Sequence, residues 1–182
     1  MSSTYSDTHR EIVEGCKKNN RQAQQQLYKL YAKAMYNIAM RILNNTGEAE
    51  DVLQEAFFEA YKKIGSFKAE SSIGAWLKKI VINRSINQLK KRKVVWLSVD
   101  NSPDMREDLS QKENEEATQW QVEKVHKGIQ LLPDGFRTVL SLYLLEGYDH
   151  KEIAEICGIS ESTSKTQYNR AKKKLLEIIK NI

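Results

Sequence analysis

The feature that most constrains the fold is residues 147–174, GYDHKEIAEICGISESTSKTQYNRAKKK. Asp149 can cap a helix predicted over His150–Cys157, and Glu152 completes a capping box. Gly158 follows where a helix commonly ends in a left-handed residue. Ser160 or Ser162 can then cap a second helix. The stretch therefore predicts two short helices joined by a tight turn.

The second predicted helix begins with small polar residues and becomes basic. Between positions 165 and 174 it carries Lys165, Arg170, Lys172, Lys173 and Lys174, and no acid. A short helix, a turn with glycine and a polar-then-basic helix are typical of the DNA-binding helix-turn-helix, whose early residues face base edges while cations meet phosphates. The alternative is a pair of amphipathic helices in some other all-α protein, with a solvated basic face.

The composition agrees with a helical protein of modest positive charge. The 182 residues carry a formal net charge of +5, which is compatible with a nucleic-acid partner. Two prolines, eight glycines and the lack of strand alternation argue against an all-β fold. The sequence has neither a membrane-length apolar run nor an apolar signal core at its start. We therefore expect a cytoplasmic protein without membrane insertion.

Cysteines and histidines give no sign of a metal or disulfide site. Cys16 and Cys157 are far apart, and neither belongs to a CxxC motif. His9, His126 and His150 have no second ligand at metal spacing. We expect these residues to be structural or to lie at the surface, and we expect no cofactor.

Two helical regions begin the chain. Residues 10–43 carry apolar residues at steps of three and four, the pattern of an amphipathic face. They are Leu27, Leu30, Tyr31, Met35, Ile38, Ala39 and Ile42. After a turn, Asn45 or Thr46 can cap a helix over 48–64, whose inner face includes Phe57. Its acids are either a solvated face that complements the helix dipole or a docking surface for a protein.

A polar loop and a basic helix follow. Phe67 in the loop either folds back on the core or presents its ring for base stacking, and Ser71 or Ser72 can cap the helix. The cations between 78 and 93 are Lys78, Lys79, Arg84, Lys90, Lys91, Arg92 and Lys93, with no acid among them. Asn83 and Asn87 share one face. Cations bind phosphates and asparagine bonds to base edges, so a second nucleic-acid surface is predicted.

The composition changes over residues 94–119, which are acidic, contain Pro103 and lose helical periodicity. They predict a flexible acidic linker between helical domains at 1–93 and 120–182. In the second domain, an apolar stripe at helical spacing consists of Val122, Val125, Ile129 and Leu132. The residues expected to be buried in the next helix are Val139, Leu140, Tyr143 and Leu144. The predicted fold class is all-α, with two small helical domains.

In order, these parts resemble the minimal two-domain bacterial extracytoplasmic-function (ECF) sigma factors of RNA polymerase. The resemblance covers residues 12–176. It rests on LYKLYAKAMYNIAMRIL, AEDVLQEAFFEAYKKI and FKAESSIGAWLKKIVINRSINQLKKRK, then on LPDGFRTVLSLYLLEGYDHKEIAEICGISESTSKTQYNRAKKKL. It implies sigma domain 2 at 1–93 and sigma domain 4 at 120–182. The wording LPDG…EGYDHKEIAE…GISESTSK is similar to members common in the Bacteroidetes.

The resemblance implies two roles for the first domain. Asp51, Gln54 and Glu55 would dock on the clamp helices of the polymerase β′ subunit. The loop 67–72 resembles one that holds a flipped-out base of the −10 element, and Trp76 matches a largely structural aromatic. The implied −10 contacts are Phe67, Ser71, Ser72, Lys78, Lys79, Asn83, Arg84 and Asn87.

The second helix of the helix-turn-helix resembles the reader of the −35 element in the major groove. Its implied contacts are Ser162, Thr163, Lys165, Thr166, Gln167, Arg170, Lys172, Lys173 and Lys174. Many family members carry Val at the position of Ser164 and Leu or a similar residue at that of Tyr168. Both positions face the inside of the helix. Because Ser164 fills less apolar volume, we expect a looser domain or a differently seated helix.

The implied partners are core RNA polymerase, through its β′ clamp helices and β flap, and promoter DNA. An anti-sigma factor or another recruiter is a further candidate, and we expect a monomer when the protein is free. The alternative function is a helix-turn-helix transcription regulator with an N-terminal helical sensing or dimerisation domain. A nucleic-acid enzyme would need clustered carboxylates or a nucleophile with its base, and the sequence has neither pattern.

Overall fold

The computed structural model describes residues 3–92 and 115–182, with side chains described over 9–92 and 122–182. In these residues every regular element is helical, which confirms the all-α prediction. The helices are α1 Ser3–Lys17, α2 Arg21–Leu43, α3 Thr46–Lys63, α4 Ile73–Lys91, α5 Glu115–Gln130, α6 Asp134–Leu144, α7 His150–Cys157 and α8 Glu161–Lys180, with a 3-10 turn at Ile64–Ser66. The chain divides into two compact units, Met1–Arg92 and Lys93–Ile182. In the described part of the chain, no helix is long and apolar enough to cross a membrane.

Most of the predicted linker, residues 94–119, lies outside the described residues. Its last five residues belong to α5, which begins at Glu115. Acidic side chains are favourable at the positive N-terminal end of a helix. An acid-rich composition therefore does not separate the end of a linker from the first turn of a helix.

Side-chain caps begin the helices that carry the predicted contacts. Asn45 accepts a hydrogen bond from the Glu48 backbone N–H at the start of α3, and Ser72 accepts one from Ala75 N–H at the start of α4. Of the cap candidates in the sequence, the caps are therefore Asn45 rather than Thr46 and Ser72 rather than Ser71. Each such cap stabilises a helix by about 1 kcal/mol.

The core of the first unit lies where α2, α3 and α4 pack against one another. Leu27 and Phe57 are buried there as predicted. Leu30 is 53% exposed, so its predicted place on the inner face is wrong. Leu30 lies at the edge of the apolar face of α2, and α3 and α4 do not cover that edge. Tyr61 ties α3 to α2 by donating to the Gln24 carbonyl at 2.8 Å, and burial raises the pKa of its phenol to about 12.

The second unit has its own core between α5, α6 and α8. The cluster consists of Ile129, Leu132, Leu140, Ala171 and Leu175. Tyr143 and Leu144, predicted to be buried, are 37% and 54% exposed, because α6 ends at Leu144 and the chain turns away. Gly128 allows α5 to approach α8, since a Cβ atom there would lie 2.7 Å from Leu175 Cδ1.

Candidate nucleic-acid interface

Helices α7 and α8 form the predicted helix-turn-helix. Asp149 accepts from the Glu152 backbone N–H at 2.8 Å, and the Glu152 carboxylate accepts from the Asp149 N–H at 2.9 Å. This confirms the capping box. Gly158 ends α7 with a φ of 71°, a conformation that glycine adopts without a steric penalty. Ser160 caps α8 by accepting from the Thr163 N–H, so the chain reverses within a few residues.

The solvent-facing side of α8 contains most of the predicted −35 contacts. Ser162, Lys165, Lys172, Lys173 and Lys174 are exposed, and Thr163, Thr166 and Arg170 are half-buried. Some of these cations have intrahelical partners. Lys165 pairs with Glu161 at 2.7 Å and Lys174 with Glu177 at 3.1 Å. The Lys172 ammonium lies 4.7 Å from the centre of the Tyr168 ring.

Gln167 does not lie with this group. Its side chain is only 1% exposed, on the inner row of α8 with Ser164, Ala171 and Leu175. Residues three or four apart share a helix face, and the inner row starts at Ser164. The inclusion of Gln167 among the residues that face bases therefore conflicts with its burial. The burial of Gln167 could not be predicted from the basic pattern of α8, because a glutamine occurs on either the covered or the exposed side of a helix.

An aromatic cluster surrounds the inner face of α8. The His150 ring stacks on Tyr143 with centroids 4.6 Å apart, and Tyr168 lies 4.6 Å from Tyr143. His150 Nδ1 and Ser164 Oγ form a hydrogen bond of 3.0 Å. Ser164 is fully buried, and His150 is the partner of its hydroxyl. The expectation of a looser domain or a differently seated helix rested on side-chain volume and did not include His150, which lies 14 residues earlier in the chain.

On α3, the predicted docking residues form an exposed stripe. Asp51, Gln54 and Glu55 are all exposed, and steps of three and four residues extend the stripe to Phe58, which is 63% exposed. The Lys62 ammonium lies 4.2 Å from the centre of the Phe58 ring. Phe58 was not among the predicted docking residues. Its spacing of four residues from Gln54 and three from Glu55 could have identified it, because residues at these spacings share a helix face.

A cavity of about 480 Å³ separates this stripe from the basic helix α4. It is lined by Glu55, Glu59, Trp76, Lys79, Asn83, Arg84 and Asn87, among others. Arg84 Nε donates to Glu59 at 2.6 Å, and its guanidinium also pairs with Glu55. Asn83, Asn87 and Lys79 are exposed, and Lys78 is half-buried. Arg84 was predicted to contact the −10 DNA, whereas in this structure its guanidinium pairs with two carboxylates of α3.

The loop 67–72 lies beside a second cavity. Phe67 is buried, with its ring centroid 5.4 Å from that of Trp76, so in this structure it packs on the core. Ser71 and Ser72 are exposed. Ala69 has a φ of 58°, a left-handed conformation that costs about 1–2 kcal/mol for a residue with a Cβ atom.

The second cavity has a volume of about 890 Å³, and α1 forms its other wall. The α1 side includes His9, Arg10 and Lys17, which face loop residues such as Lys68 and Ser71. His9 Nδ1 and the Tyr31 hydroxyl form a hydrogen bond of 2.6 Å. The contribution of α1 was missed, because three residues spread over nine positions form no motif.

The remaining reactive side chains are not grouped into a site. Over residues 9–92 and 122–182, no cluster of His, Cys, Asp and Glu could hold a metal ion. Cys16 and Cys157 are buried, and burial raises the pKa of the Cys16 thiol. A raised pKa disfavours the nucleophilic thiolate, so Cys16 is an inert core residue.

Comparison with known proteins identifies the family. The model of Sigma-70 region 2 matches residues 27–94, and that of Sigma-70, region 4 matches residues 123–175. The ECF RNA polymerase sigma factor SigM of Bacillus subtilis is 32% identical over 82% of this chain and 91% of its own. The ECF RNA polymerase sigma-E factor of Escherichia coli K12 is 28% identical, over 91% of each chain.

A solved structure agrees with these matches. The sigma factor RpoE of Bartonella quintana, in complex with the anti-sigma factor NepR, is similar with a TM-score of 0.54 and 26% identity, over 86% of this chain and 96% of that one. Both units of the present chain therefore have counterparts in the same order. The chain belongs to the ECF RNA polymerase sigma factors, non-enzymatic initiation factors that direct RNA polymerase to promoters.

Proposed function

We propose that this sigma factor docks on core polymerase through α3, opens and reads the −10 element with α4 and the loop 67–72, and reads the −35 element with α8. The observation that carries the proposal is the shared cavity between α3 and α4. It brings Glu55 of the docking stripe beside Asn83 of the proposed −10 helix. A protein that binds polymerase on one side of this cavity would hold DNA on the other.

The docking surface is the stripe of Asp51, Gln54, Glu55 and Phe58. Exposed acids steer and orient a basic partner, while a large exposed aromatic supplies the apolar contact that dominates many interfaces. The proposed partner is the β′ clamp helices of core polymerase. Because Glu55 pairs with Arg84, a substitution there would disturb the fold as well as the docking. Asp51 is the cleaner test position.

The docking experiment is a titration of core polymerase with the Asp51→Lys and Phe58→Ala variants. We expect each to weaken binding about tenfold or more, as truncation of a central interface residue typically does. Glu11→Lys is the matched control, since Glu11 is an exposed glutamate on a different helix, α1, and receives the same change of sign. Equal losses for Asp51→Lys and Glu11→Lys would show that the loss of affinity reflects net charge alone, and unchanged affinity for all three variants would refute the stripe.

Promoter opening is proposed to use the 890 Å³ cavity between α1 and the loop 67–72. Extruding a base from a duplex costs a few kcal/mol, and stacking on a protein aromatic returns roughly 1–3 kcal/mol. Tyr31 in the cavity wall offers a ring, the Ser71 and Ser72 hydroxyls offer hydrogen bonds, and Arg10 and Lys68 offer charges for the backbone. Phe67 anchors the loop to the core by packing its ring against that of Trp76.

Asn83, further along α4, is the proposed contact with the edge of a neighbouring base, with Lys78, Lys79 and Asn87 along the strand. Asn83→Ala should leave the unfolding midpoint and core affinity nearly unchanged, because the side chain is exposed. It should reduce permanganate-detected opening of the −10 element on a duplex promoter, and less so on a template mismatched in advance. Asn37→Ala, an exposed asparagine on α2, is the matched control. Native opening by Asn83→Ala would contradict the assignment.

For the −35 element, we propose Ser162, Thr163, Lys165, Thr166 and Arg170 as base or backbone contacts and Lys172, Lys173 and Lys174 as phosphate contacts. Gln167 leaves this set because it is buried. Each phosphate contact removed should lower the salt slope of DNA binding by roughly one unit.

Two further proposals concern partners and source. The anti-sigma factor in the RpoE complex supports an anti-sigma factor, or another recruiter, as a partner of this chain. The β flap remains a proposed second contact on polymerase, and a free monomer remains the expectation. The resemblance of the second domain's sequence to Bacteroidetes members stays a prediction.

The alternative function, a transcription regulator, requires that the protein not co-elute with core polymerase on size exclusion. The docking titration tests the same point.

A further inference from the structure

The inner face of α8 contains a buried polar contact, the hydrogen bond between Ser164 and His150. Ser164 is fully buried and shares its row with Gln167, Ala171 and Leu175. Its neighbours in sequence, Thr163 and Lys165, lie on the proposed DNA-facing side. Any rotation of α8 that moves Ser164 therefore moves those contacts as well.

His150 is held firmly from several sides. It is the first residue of α7, directly after the Asp149 capping box. Its ring stacks on Tyr143 of α6 at an interplanar angle of 19° and meets Tyr168 of α8 edge-on at 5.6 Å. The 3.0 Å hydrogen bond to Ser164 Oγ adds a second tie to α8. Rings from three helices thus pack together, and one of them, His150, is also bonded to the Ser164 hydroxyl.

The protonation state suits a directional contact. Burial lowers the pKa of the His150 imidazole, and Lys165 on α8 acts in the same direction, whereas Glu161 and Asp149 oppose it. A lowered pKa favours the neutral ring at neutral pH. A neutral imidazole has one donor and one acceptor nitrogen, so its hydrogen bond to a hydroxyl has a defined geometry.

We propose that His150 and Ser164 are positioning residues for −35 recognition, and that their hydrogen bond sets the rotation of α8 about its own axis. The inference rests on the proposed −35 role of α8. A helix with its side chains has a radius of roughly 5–6 Å, so a rotation of about 20° moves a side-chain tip by roughly 2 Å. Base-edge hydrogen bonds tolerate a few tenths of an ångström, so such a rotation would change which bases are read.

A buried hydroxyl at position 164, in place of an apolar side chain, has a specific consequence for the orientation of α8. An apolar contact is non-directional and permits small rotations at little cost. A hydrogen bond prefers a narrow range of distance and angle, and leaving a buried hydroxyl without its partner is unfavourable. In this chain the seat of α8 depends on orientation as well as on packing.

The test is a promoter library randomised in the −35 element, transcribed by core polymerase with the full-length protein. Ser164→Ala removes the hydroxyl, His150→Phe keeps the aromatic stack without the nitrogen, and Ser164→Thr keeps the hydroxyl as a conservative rescue. Ser85→Ala is the matched control, because Ser85 is also a buried helical serine but bonds within its own helix, to the Val81 carbonyl at 2.9 Å. Unfolding midpoints and the ring ¹⁵N shifts of His150 are measured in parallel.

We expect Ser164→Ala and His150→Phe to reduce discrimination between the preferred −35 element and its single-base variants about five- to tenfold, the low end of what one base contact provides. Ser164→Thr and Ser85→Ala should retain the native preference, and Ser164→Ala should shift the His150 ring ¹⁵N signals. Native discrimination in both disruptive variants would overturn the inference, as would a loss that is equal for every sequence and follows the folded fraction. A native protein without any −35 preference would instead overturn the proposed role of α8 itself.

Discussion

Arg84 on α4 donates a hydrogen bond from Nε to the Glu59 carboxylate on α3 at 2.6 Å. This ion pair spans the cavity between the proposed docking helix and the proposed −10 helix. Both partners are partly buried, with exposed side-chain fractions of 31% and 23%. The pair therefore links α3 and α4, whose exposed surfaces are expected to bind different partners.

The first prediction concerns the response of this pair to acid. Hydrogen bonding to Lys63, and then to Arg84, lowers the pKa of Glu59. A folded-state pKa below the unfolded value stabilises the protein above the unfolded pKa, near 4.5, and this contribution is lost as the pH falls through the folded value. Arg84→Ala should therefore cost about 1 kcal/mol at pH 7 and progressively less below pH 4.5.

Urea unfolding of the native protein and of Arg84→Ala, measured from pH 7 to pH 3, checks this prediction. Lys90→Ala serves as the control, since Lys90 is an exposed cation on the same helix as Arg84. A difference between native and Arg84→Ala that stays constant over the whole pH range would show that the guanidinium acts through packing and not through charge.

The second prediction compares two adjacent serines. Ser72→Ala removes the cap of α4 and should destabilise the first unit by about 1 kcal/mol. Ser71→Ala should change stability much less, because its hydroxyl makes only a 3.5 Å contact with the Ser72 carbonyl. Thermal unfolding of both variants tests the difference. If Ser71→Ala were the more damaging change, the start of α4 would have been assigned to the wrong residue.

The third prediction concerns the loop conformation at Ala69. Its positive φ is unfavourable for alanine, so Ala69→Gly should stabilise the protein by up to about 1 kcal/mol after the entropic cost of glycine is subtracted. Ala34→Gly, the same change at an exposed helical site on α2, should destabilise by about 1 kcal/mol. Equilibrium unfolding gives both signs in one experiment, and destabilisation by both changes would mean that Ala69 is not strained in solution.

The fourth prediction separates two residues of α8. Gln167→Ala truncates a buried polar side chain and should destabilise the second unit by about 1–3 kcal/mol, without altering the relative preference for −35 sequences. Arg170→Ala should reduce discrimination at one or two base positions by about 1–3 kcal/mol and change stability little. Competition binding with a set of −35 variants, together with thermal unfolding, distinguishes the two outcomes. A changed base preference for folded Gln167→Ala, with the His150 ring ¹⁵N signals unchanged, would return Gln167 to the contacts.

Features that depend on neighbouring residues could be predicted from the sequence, whereas contacts between different helices could not. Caps such as Asp149 and Ser72 were predictable, since the acceptor and the N–H it binds lie within three residues. The burial of Gln167 was not, because the side of a helix that is covered depends on helices elsewhere in the chain. The partner of Ser164 likewise comes from a different helix, and no pattern around position 164 points to position 150.

Apolar residues illustrate the same limit. Periodicity placed Phe57 inside correctly, because Val52, Ala56 and Ala60 share its side of α3. It assigned Leu144 to the core, although helix α6 ends there and the covering layer ends with it. Where an element stops, or where a neighbour fails to reach, helical phase alone does not determine burial.

The caps described above have a consequence for how promoter preference can change over evolution. Asn45, Ser72 and Ser160 each specify where a helix begins through contacts within its own first turn. The exposed residues further along α3, α4 and α8 can then be exchanged without shifting the point from which each helix is counted. A lineage could thus acquire new promoters by surface substitution, while the scaffold that presents those residues stays the same.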